Sequence, residues 1–284
     1  MQEPDPRAGK WQAADHGRRW VTALVALAVL VACVAAGGVA FSALGLLGAL
    51  GCLREFQKLA RAPDGRGEAG ELAWVGYAAA VALVLVAHAG AWAALPAVAA
   101  LHLVCCGALG LRRFPADRLV LAGVARQVLG LVYCALPIAL FIALRSMPEG
   151  VAWVLLTCAV VFAGDSAAFY VGTLRGRHKL APAISPGKTV EGAIAGLAAS
   201  LLTGALGAAG FLSGLSAAGG AAFGLLVGLA GQAGDLFESC WKRAAGVKDS
   251  GSLLPGHGGF LDRLDALLFA APVAFGLRLG LGPP

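Results

Sequence analysis

The stretch VAWVLLTCAVVFAGDSAAFYVGT, from Val151 to Thr173, decides the fold of this chain. Asp165 is its one charged side chain. As a helix rising 1.5 Å per residue, the stretch is long enough to cross the roughly 30 Å hydrocarbon core of a bilayer. A helix satisfies its own backbone hydrogen bonds, as a lipid environment requires. The stretch therefore predicts a membrane-spanning helix.

The same apolar character extends over most of the chain. Hydrophobic residues make up 59% of the 284 residues and charged residues 13%, and the mean hydropathy is +0.79. One soluble core could not bury that much apolar surface. The ten-residue alternating segments of membrane barrels are absent from the sequence. We therefore expect an all-α, polytopic integral membrane protein.

Apolar runs between polar breaks predict about nine transmembrane helices. They lie at residues 20–36, 38–53, 72–89, 91–110, 125–145, 151–173, 190–212, 217–240 and 262–281. The first two are short and meet at Gly37 and Gly38, so a re-entrant or strongly tilted pair is an alternative for them. The 41 glycines favour close helix packing through small residues.

The distribution of Lys and Arg predicts a cytoplasmic N-terminus. Four cations lie in the N-terminal tail and four in each of the regions 54–66, 112–126, 175–188 and 242–263. Arg145 and Arg278 alone fall on the opposite side. Topology thus explains the net charge of +6 without a nucleic-acid partner.

The domain organisation follows from where the polar residues gather. Residues 1–19 are interpreted as a cytoplasmic tail, because they are polar and show no cleavage pattern of a signal peptide. Residues 20–145 would form N-terminal transmembrane helices, and 146–284 a C-terminal catalytic region. The seven cysteines form no CxxC pair and lie mostly in apolar stretches, so neither a disulfide nor a zinc site is expected.

Most of the functional signal lies in the run DLFESCWKRAAGVKDSGSLLPGHGGFLDRLD, from Asp235 to Asp265. It contains five carboxylates, four cations and one histidine. A charged side chain at the bilayer centre costs about 2.5–3.5 kcal/mol on insertion scales. Such groups persist when they are paired, hydrated near an interface, or hold an ion or a substrate.

Two acidic groups in this run resemble the halves of a divalent-cation site. Asp235 begins a helical face that continues with Glu238, Ser239 and Lys242, although an intrahelical ion cluster would have the same spacing. Asp262 and Asp265 lie one turn apart at the start of the last helix, where capping would explain one of them. Mg²⁺ prefers carboxylate oxygens and shares its other positions with water and phosphates.

The loop between these acids is rich in glycine. Gly256, Gly258 and Gly259 permit a close approach of the backbone to a ligand. His257 among them is more typical of a hydrogen-bonding turn residue than of a metal ligand. Ser239 precedes the loop on a helix without a GxSxG turn, which disfavours a Ser-His-Asp hydrolase.

A second polar segment, GDSAAFYVGTLRGRHKLAPAISPGKTVEG, runs from Gly164 to Gly192. Asp165 lies roughly 12 Å from the expected end of its helix, so it needs a partner, which could be a neighbouring helix. The fragment PGKT is not a P-loop, because Pro182 occupies the position of the required glycine. Ser185, Lys188 and Thr189 precede a helix start and suit anion binding, although the cations also fit topology alone.

Acids that could hold Mg²⁺, with cations around them at a membrane boundary, favour nucleotidyl or phosphoryl transfer. The acceptor would be amphiphilic. A lipid phosphate is already an anionic nucleophile, so no strong general base is required, and positioning with charge neutralisation could supply most of the effect.

The charged run resembles the signature of phosphatidate cytidylyltransferases, also called CDP-diacylglycerol synthases. The residues that match in order and spacing are Ser239, Lys242, Arg243, Lys248, Asp249, Pro255, His257, Gly258, Gly259, Asp262, Arg263 and Asp265. DSAAFYVG and KLAPAISPGKTVEG resemble two further blocks, so the resemblance covers about 164 to 265. Trp241, usually aliphatic, and Gly187, often Lys, depart from the pattern.

The resemblance implies that CTP and phosphatidic acid react to CDP-diacylglycerol and pyrophosphate, with Mg²⁺ and in some members a monovalent cation such as K⁺. Asp235 and Asp262 would be the metal ligands. We further hypothesise that the triphosphate or the lipid phosphate contacts Lys242, Arg243, Lys248 and Arg263. Ser185, Lys188 and Thr189 would close the site, with Asp165, Asp249 and Asp265 as orienting groups and Ser239, His257, Gly258 and Gly259 as further substrate-binding residues.

Two other classes of function stay open at this point. A cation-coupled transporter also keeps acids in the membrane, but its site is typically near the midplane between inverted repeats, which this sequence does not show. Another lipid-phosphate transferase or kinase is the nearer alternative. The partners expected are CTP, phosphatidic acid and membrane lipids in a bacterial inner membrane, with the site facing the cytoplasm. Small residues on helix faces also fit a homodimer.

Overall fold

A computed structural model describes residues 24–60, 70–212, 214–251 and 258–281 of the chain. Within these ranges the chain forms nine helical segments and one short hairpin. The helices are α1 (Leu24–Ala36), α2 (Gly38–Leu59), α3 (Gly70–His88), α4 (Leu95–Arg113), α5 (Val120–Gly130) continued by α6 (Leu136–Arg145), α7 (Gly150–Arg175), α8 (Val190–Phe211), α9 (Ala217–Ala244) and α10 (Leu261–Gly280). The hairpin strands are β1 (Lys179–Ala181) and β2 (Ser185–Thr189).

The all-α class is confirmed, and the expected number of about nine helices agrees with the structure. Seven of the segments are long and apolar enough to cross a membrane, counting α5 and α6 as one. α1 is shorter than these, and α10 carries more charge. The chain is therefore a multi-pass membrane protein.

The second helix is longer than expected. α2 continues to Leu59, past the predicted end at residue 53, and so includes Arg54, Glu55 and Lys58. The polar residues do not end the helix because Glu55 faces inward and is fully buried. α2 is thus long enough to span on its own, and it does not fit the short second member of a re-entrant pair.

One predicted span contains an irregular turn. A π-helical turn, Leu131–Ala135, joins α5 to α6, and Pro137 follows it in the first turn of α6. Proline lacks a backbone N–H and disturbs the regular ladder, so it accounts for the irregularity. The span nonetheless continues from Val120 to Arg145.

The helices that carry the polar segments pack through small residues. Ser200, Gly204 and Ala208 on α8 face Gly220, Gly224 and Gly228 on α9, each set spaced by four residues. A Cβ on Gly224 would lie 3.1 Å from the Cα of Gly204, so the two backbones are almost in contact. This close approach is what small residues at four-residue spacing permit in membranes.

The two cations on the expected opposite side are both engaged at one end of the bundle. The Arg145 Nε donates to the Val34 carbonyl at 2.6 Å, and its Nη2 donates to the Ala35 carbonyl at 3.2 Å. These carbonyls lie in the last turn of α1, at the negative end of the helix dipole, where a cation is favourable. Arg278 is buried, and its guanidinium lies 5.8 Å from the ring centre of Trp153. Their contacts explain these exceptions to the charge distribution.

The hairpin was expected as a loop. β1 and β2 are antiparallel, with Lys179 opposite Thr189 and Ala181 opposite Ser185. A two-stranded hairpin is marginal alone and depends on packing. Here it is continuous with α8, and Arg243 of α9 donates to the Ile184 carbonyl in its turn at 3.1 Å.

Candidate active site

A cavity of about 1170 Å³ is lined by charged residues of the two polar segments, here called its polar end, and by apolar residues of several helices, here called its apolar end. Predicted site residues that line its polar end are Asp165, Ser185, Lys188, Thr189, Asp235, Asp262, Arg263 and Asp265. Its apolar end lies among α1, α2, α6 and α7, with Leu27, Leu30, Phe41, Leu44, Phe141 and Phe162 in the wall. Residues from both polar sequence segments therefore meet in one space, together with helices from the N-terminal half.

Asp262, in the first turn of α10, is held by hydrogen bonds on both carboxylate oxygens. Its Oδ2 accepts from the backbone N–H groups of Ser250 and Gly259, each at 2.9 Å, and from the Ser250 hydroxyl at 2.8 Å. Its Oδ1 accepts from the Lys242 ammonium at 2.9 Å. Charge-assisted bonds of this kind are the stronger ones, so the carboxylate has one defined orientation.

Lys242 links the last turns of α9 to α10. Its ammonium pairs with Glu238 one turn earlier on α9 as well as with Asp262. Glu238 is fully buried, and the Lys242 side chain is 13% exposed. A buried carboxylate needs such a partner, because an unpaired charge out of water is costly. Lys242 therefore balances two acids near the cavity without lining it.

Asp235 and Lys188 connect α9 to the hairpin. The Lys188 ammonium lies 2.7 Å from the Asp235 carboxylate, and the two side chains are 26% and 34% exposed. Both line the cavity. The pair holds the PGKT segment against α9. The sequence predicted that this segment closes the site, without naming Asp235 as the partner of Lys188.

The start of α8 is capped from within the hairpin. The Thr189 hydroxyl accepts from the Gly192 N–H at 3.1 Å, as a helix N-cap does. Glu191 accepts from the backbone N–H groups of Arg177 and His178 and pairs with the His178 ring at 2.6 Å. Thr189 therefore caps α8 and also lines the cavity, as Lys188 and Ser185 do.

Several other predicted site residues that the structure describes do not line the cavity. Arg243 is bound to the carbonyls of Ile184 and Val247, both at 3.1 Å. Lys248 and Asp249 are exposed on the segment that follows α9, and Ser239 is buried. His257 lies outside the described residues. The roles expected for these five residues stay predictions.

The described glycines of the loop approach carboxylates. Gly258 has a φ of 76°, which favours glycine, and a Cβ there would lie 2.9 Å from the Asp262 Oδ2. A Cβ on Gly259 would overlap the carboxylate of Glu55. The expected close approach of backbone is present, and in this structure it is toward protein carboxylates. Whether these glycines also contact substrate stays a prediction.

Trp241 and Gly187 depart from the family pattern, and the structure shows what surrounds each of them. Trp241 packs edge-on against Phe56 of α2, with ring centres 4.9 Å apart. A Cβ on Gly187 would meet open space. The Trp241 contact fits the expected effect on packing alone.

Sequence reasoning missed Glu55, Ser250 and Gln232. Glu55 is fully buried beside Ser250 and Leu261. Gln232 lines the cavity one turn before Asp235 and donates to the Ala193 carbonyl at 3.0 Å. An acid two residues after the predicted apolar run 38–53 was a signal for Glu55, because acids at or within membrane helices are functional by default. Its partner could not be read from the sequence.

The donor set fits a Mg²⁺ site that is completed by substrate. Asp235 and Asp262 face one cavity, and each is paired with an ammonium group. In the described part of the chain, no three or more His, Cys, Asp or Glu side chains are grouped so that they could hold a metal ion by themselves. Mg²⁺ usually takes one or two carboxylates together with water and phosphate oxygens, which matches this arrangement.

The chain is similar in sequence to several bacterial proteins named phosphatidate cytidylyltransferase. The chain is 46% identical over 131 residues to a phosphatidate cytidylyltransferase of Synechocystis, covering 46% of this chain and 44% of that protein. It is 35% identical over 210 residues to one of Staphylococcus aureus, covering 70% of this chain and 76% of the relative. With one of Staphylococcus saprophyticus it shares 42% identity over 125 residues, 44% of this chain and 48% of the relative.

Two of these three alignments span less than half of the relative's length. The sequence profile of the cytidylyltransferase family, in contrast, matches residues 17–279, which include all helices that line the cavity. The chain belongs to the cytidylyltransferase family.

Proposed function

We propose that this protein transfers CMP from CTP to phosphatidic acid and so forms CDP-diacylglycerol and pyrophosphate. The relatives named phosphatidate cytidylyltransferase support this activity. In this proposal the protein lies in a bacterial inner membrane with the polar end of its cavity toward the cytoplasm, and the distribution of Lys and Arg supports this orientation.

The observation that carries the proposal is the two-ended cavity. Its apolar end, with Leu30, Phe41 and Phe162, suits acyl chains, and its polar end, with Lys188 and Asp262, suits phosphates. Ligand pockets are mostly apolar with a few placed polar groups that orient the ligand. A molecule with a phosphate at one end and two fatty chains at the other fits that division, whereas free CTP uses only the polar end.

The reaction joins two anions, so charge neutralisation is its main demand. An oxygen of the lipid phosphate attacks the α-phosphorus of CTP, the bond to the β-phosphate oxygen breaks, and pyrophosphate leaves. Lys188 and Arg263 line the polar end, and both present positive charge to the reacting phosphates. Fixed charges in a site that excludes water stabilise charge that spreads in the transition state.

The carboxylates and the ammonium groups have complementary roles in the proposed mechanism. Asp235 and Asp262 would hold Mg²⁺, which when bound neutralises phosphate oxygens and assists departure of pyrophosphate. Lys188 pairs with Asp235 and Lys242 with Asp262, and both ion pairs hold these carboxylates in place. Because the phosphoanion needs no deprotonation, we assign no general base.

The finer parts of the proposal come from the family resemblance. Arg243, Lys248, Asp249, Ser239 and His257 are assigned to substrate binding, and Asp165 and Asp265 to orienting groups at the polar end. K⁺ as an additional cation and a homodimer as the assembly also belong to the proposal.

The test is the activity of the purified chain in detergent. With CTP, phosphatidic acid and Mg²⁺ we expect CDP-diacylglycerol and pyrophosphate in equal amounts, and no product once EDTA is in excess. Radiolabel at the α-phosphate should appear in the lipid, and label at the γ-phosphate should not. Label transfer from the γ-position would instead indicate a lipid kinase, and cation flux into liposomes without CTP would indicate a transporter.

A further inference from the structure

Glu55 is a buried acid that joins the N-terminal helices to the loop beside the polar end of the cavity. It lies near the end of α2, is fully buried, and does not line the cavity. Its hydrogen-bond partners, Ser250 and Leu261, lie 195 and 206 residues further along the chain. It can therefore act on the site only through these neighbours.

One carboxylate oxygen of Glu55 accepts two hydrogen bonds. The Leu261 N–H donates to its Oε2 at 2.8 Å, and the Ser250 hydroxyl lies 3.1 Å from the same atom. The Leu261 N–H is one of the free donors at the start of α10, a helix whose N-cap residue provides no side-chain bond. Glu55 thus caps α10 from another helix.

Ser250 carries this contact on to Asp262. Its backbone N–H donates to the Asp262 Oδ2 at 2.9 Å, and its hydroxyl lies 2.8 Å from the same oxygen. A hydroxyl has one hydrogen, so Glu55 and Asp262 share it. The position of Ser250 between the two carboxylates therefore depends on the reach of Glu55.

The glycines on both sides of the loop make room for the Glu55 carboxylate. A Cβ on Gly251 or on Gly259 would overlap it. The Gly259 N–H donates to the Asp262 Oδ2 at 2.9 Å. Hence the backbone that closes over Glu55 is the same backbone that holds Asp262.

We propose that Glu55 is a positioning residue for Asp262. It fixes Ser250 and the first N–H of α10, and these hold the Asp262 carboxylate in the orientation that the proposed reaction uses. The role rests on the proposed function, and it requires the length of the side chain and its acceptor oxygen, not its charge. Substitution of a residue that orients a metal-binding side chain typically lowers metal affinity or activity by about 10–100-fold.

Two variants separate reach from charge. Glu55→Gln keeps the length and one carbonyl acceptor, whereas Glu55→Asp keeps the charge and withdraws the carboxylate by one carbon, about 1.5 Å. Glu71→Asp is the matched control, because Glu71 is half exposed at the start of α3 and pairs with Arg112 and Arg113. Both Glu55 variants are small changes in size, so the fold is expected to persist.

The first measurement is hydrogen exchange of the resting protein in detergent without nucleotide. We expect the amides of Ser250, Gly259 and Leu261 to exchange at least about tenfold faster in Glu55→Asp than in the unaltered protein, since each has lost a fixed acceptor or its support. Glu55→Gln should stay within about threefold, and amides of α8 and α9 should not change in either. This comparison decides the positioning role even if the protein makes no CDP-lipid.

The second measurement is the Mg²⁺ concentration that gives half-maximal pyrophosphate release. It should rise about 10–100-fold in Glu55→Asp and recover in Glu55→Gln. Equal behaviour of the two variants, whether both normal or both impaired, would overturn the proposal. So would faster exchange in Glu55→Asp with an unchanged Mg²⁺ requirement.

Discussion

Asp262→Asn is expected to lower CDP-diacylglycerol formation by about 100–1,000-fold or more, the range that follows loss of one preorganised group that stabilises charge in an active site. In the structure one oxygen of Asp262 accepts three hydrogen bonds and the other accepts the Lys242 ammonium. An amide has one acceptor oxygen, so its NH₂ group must face either the ammonium or the donors of Ser250 and Gly259. The variant loses both the charge and the orientation.

Asp235→Asn is expected to have an effect of similar size for the same reason. Asp235 faces the cavity and pairs with Lys188 at 2.7 Å. Its amide would neither hold a divalent cation nor balance that ammonium. The assay is transfer of CMP from labelled CTP to phosphatidic acid, at several Mg²⁺ concentrations.

The matched control for both is Asp117→Asn. Asp117 is exposed in the turn between α4 and α5, where its Oδ1 accepts from the Leu119 N–H at 2.9 Å, a bond that Asn can replace. We expect unchanged activity for it and similar thermal unfolding for all three variants in detergent. If Asp262→Asn and Asp235→Asn both kept substantial turnover, the assignment of the metal ligands would be wrong.

Gly224→Val is expected to destabilise the protein by about 1–3 kcal/mol or more, as overpacking of a tightly packed interior does. A Cβ on Gly224 would overlap the Ser200 carbonyl oxygen and lie 3.1 Å from the Gly204 Cα. These atoms are backbone, so α8 and α9 can relieve the overlap only by separating. Because α8 follows the hairpin and α9 carries Asp235, activity should fall together with stability.

Gly107→Val provides the control for this change. Gly107 lies inside α4, and a Cβ there meets no heavy atom within 4 Å. It therefore carries the same small cost of a β-branched residue in a helix without the overlap. The thermal unfolding temperature in detergent should fall clearly for Gly224→Val and little for Gly107→Val. Equal unfolding temperatures would contradict tight α8–α9 packing.

The features that the sequence predicted well are those in which local composition decides the outcome. Val151 to Thr173 became the core of α7, and the other long apolar runs also became helices. The acids Asp235 and Asp262 could be recognised as partners because charge is rare and costly in such a chain. Their shared cavity agrees with that expectation.

Features that depend on partners distant in sequence were predicted less well. The end of α2 was placed too early because Glu55 looked like the start of a polar loop, and the hairpin was expected as a loop because its packing on α9 is not local. The assignment of Lys242 to phosphates stays a prediction; its ion pairs with Glu238 and Asp262 could not be read from the sequence.

The sequence by itself determined that this is a helical membrane protein of the cytidylyltransferase type, because hydropathy and a dense charged motif are properties of neighbouring residues. Tertiary structure alone decided which ammonium group pairs with which aspartate, that α1 and α2 complete the wall of the cavity, and that Glu55 supports α10. The physical reason is that a buried charge is stable only beside its partner. Which partner it meets is set by how the helices pack.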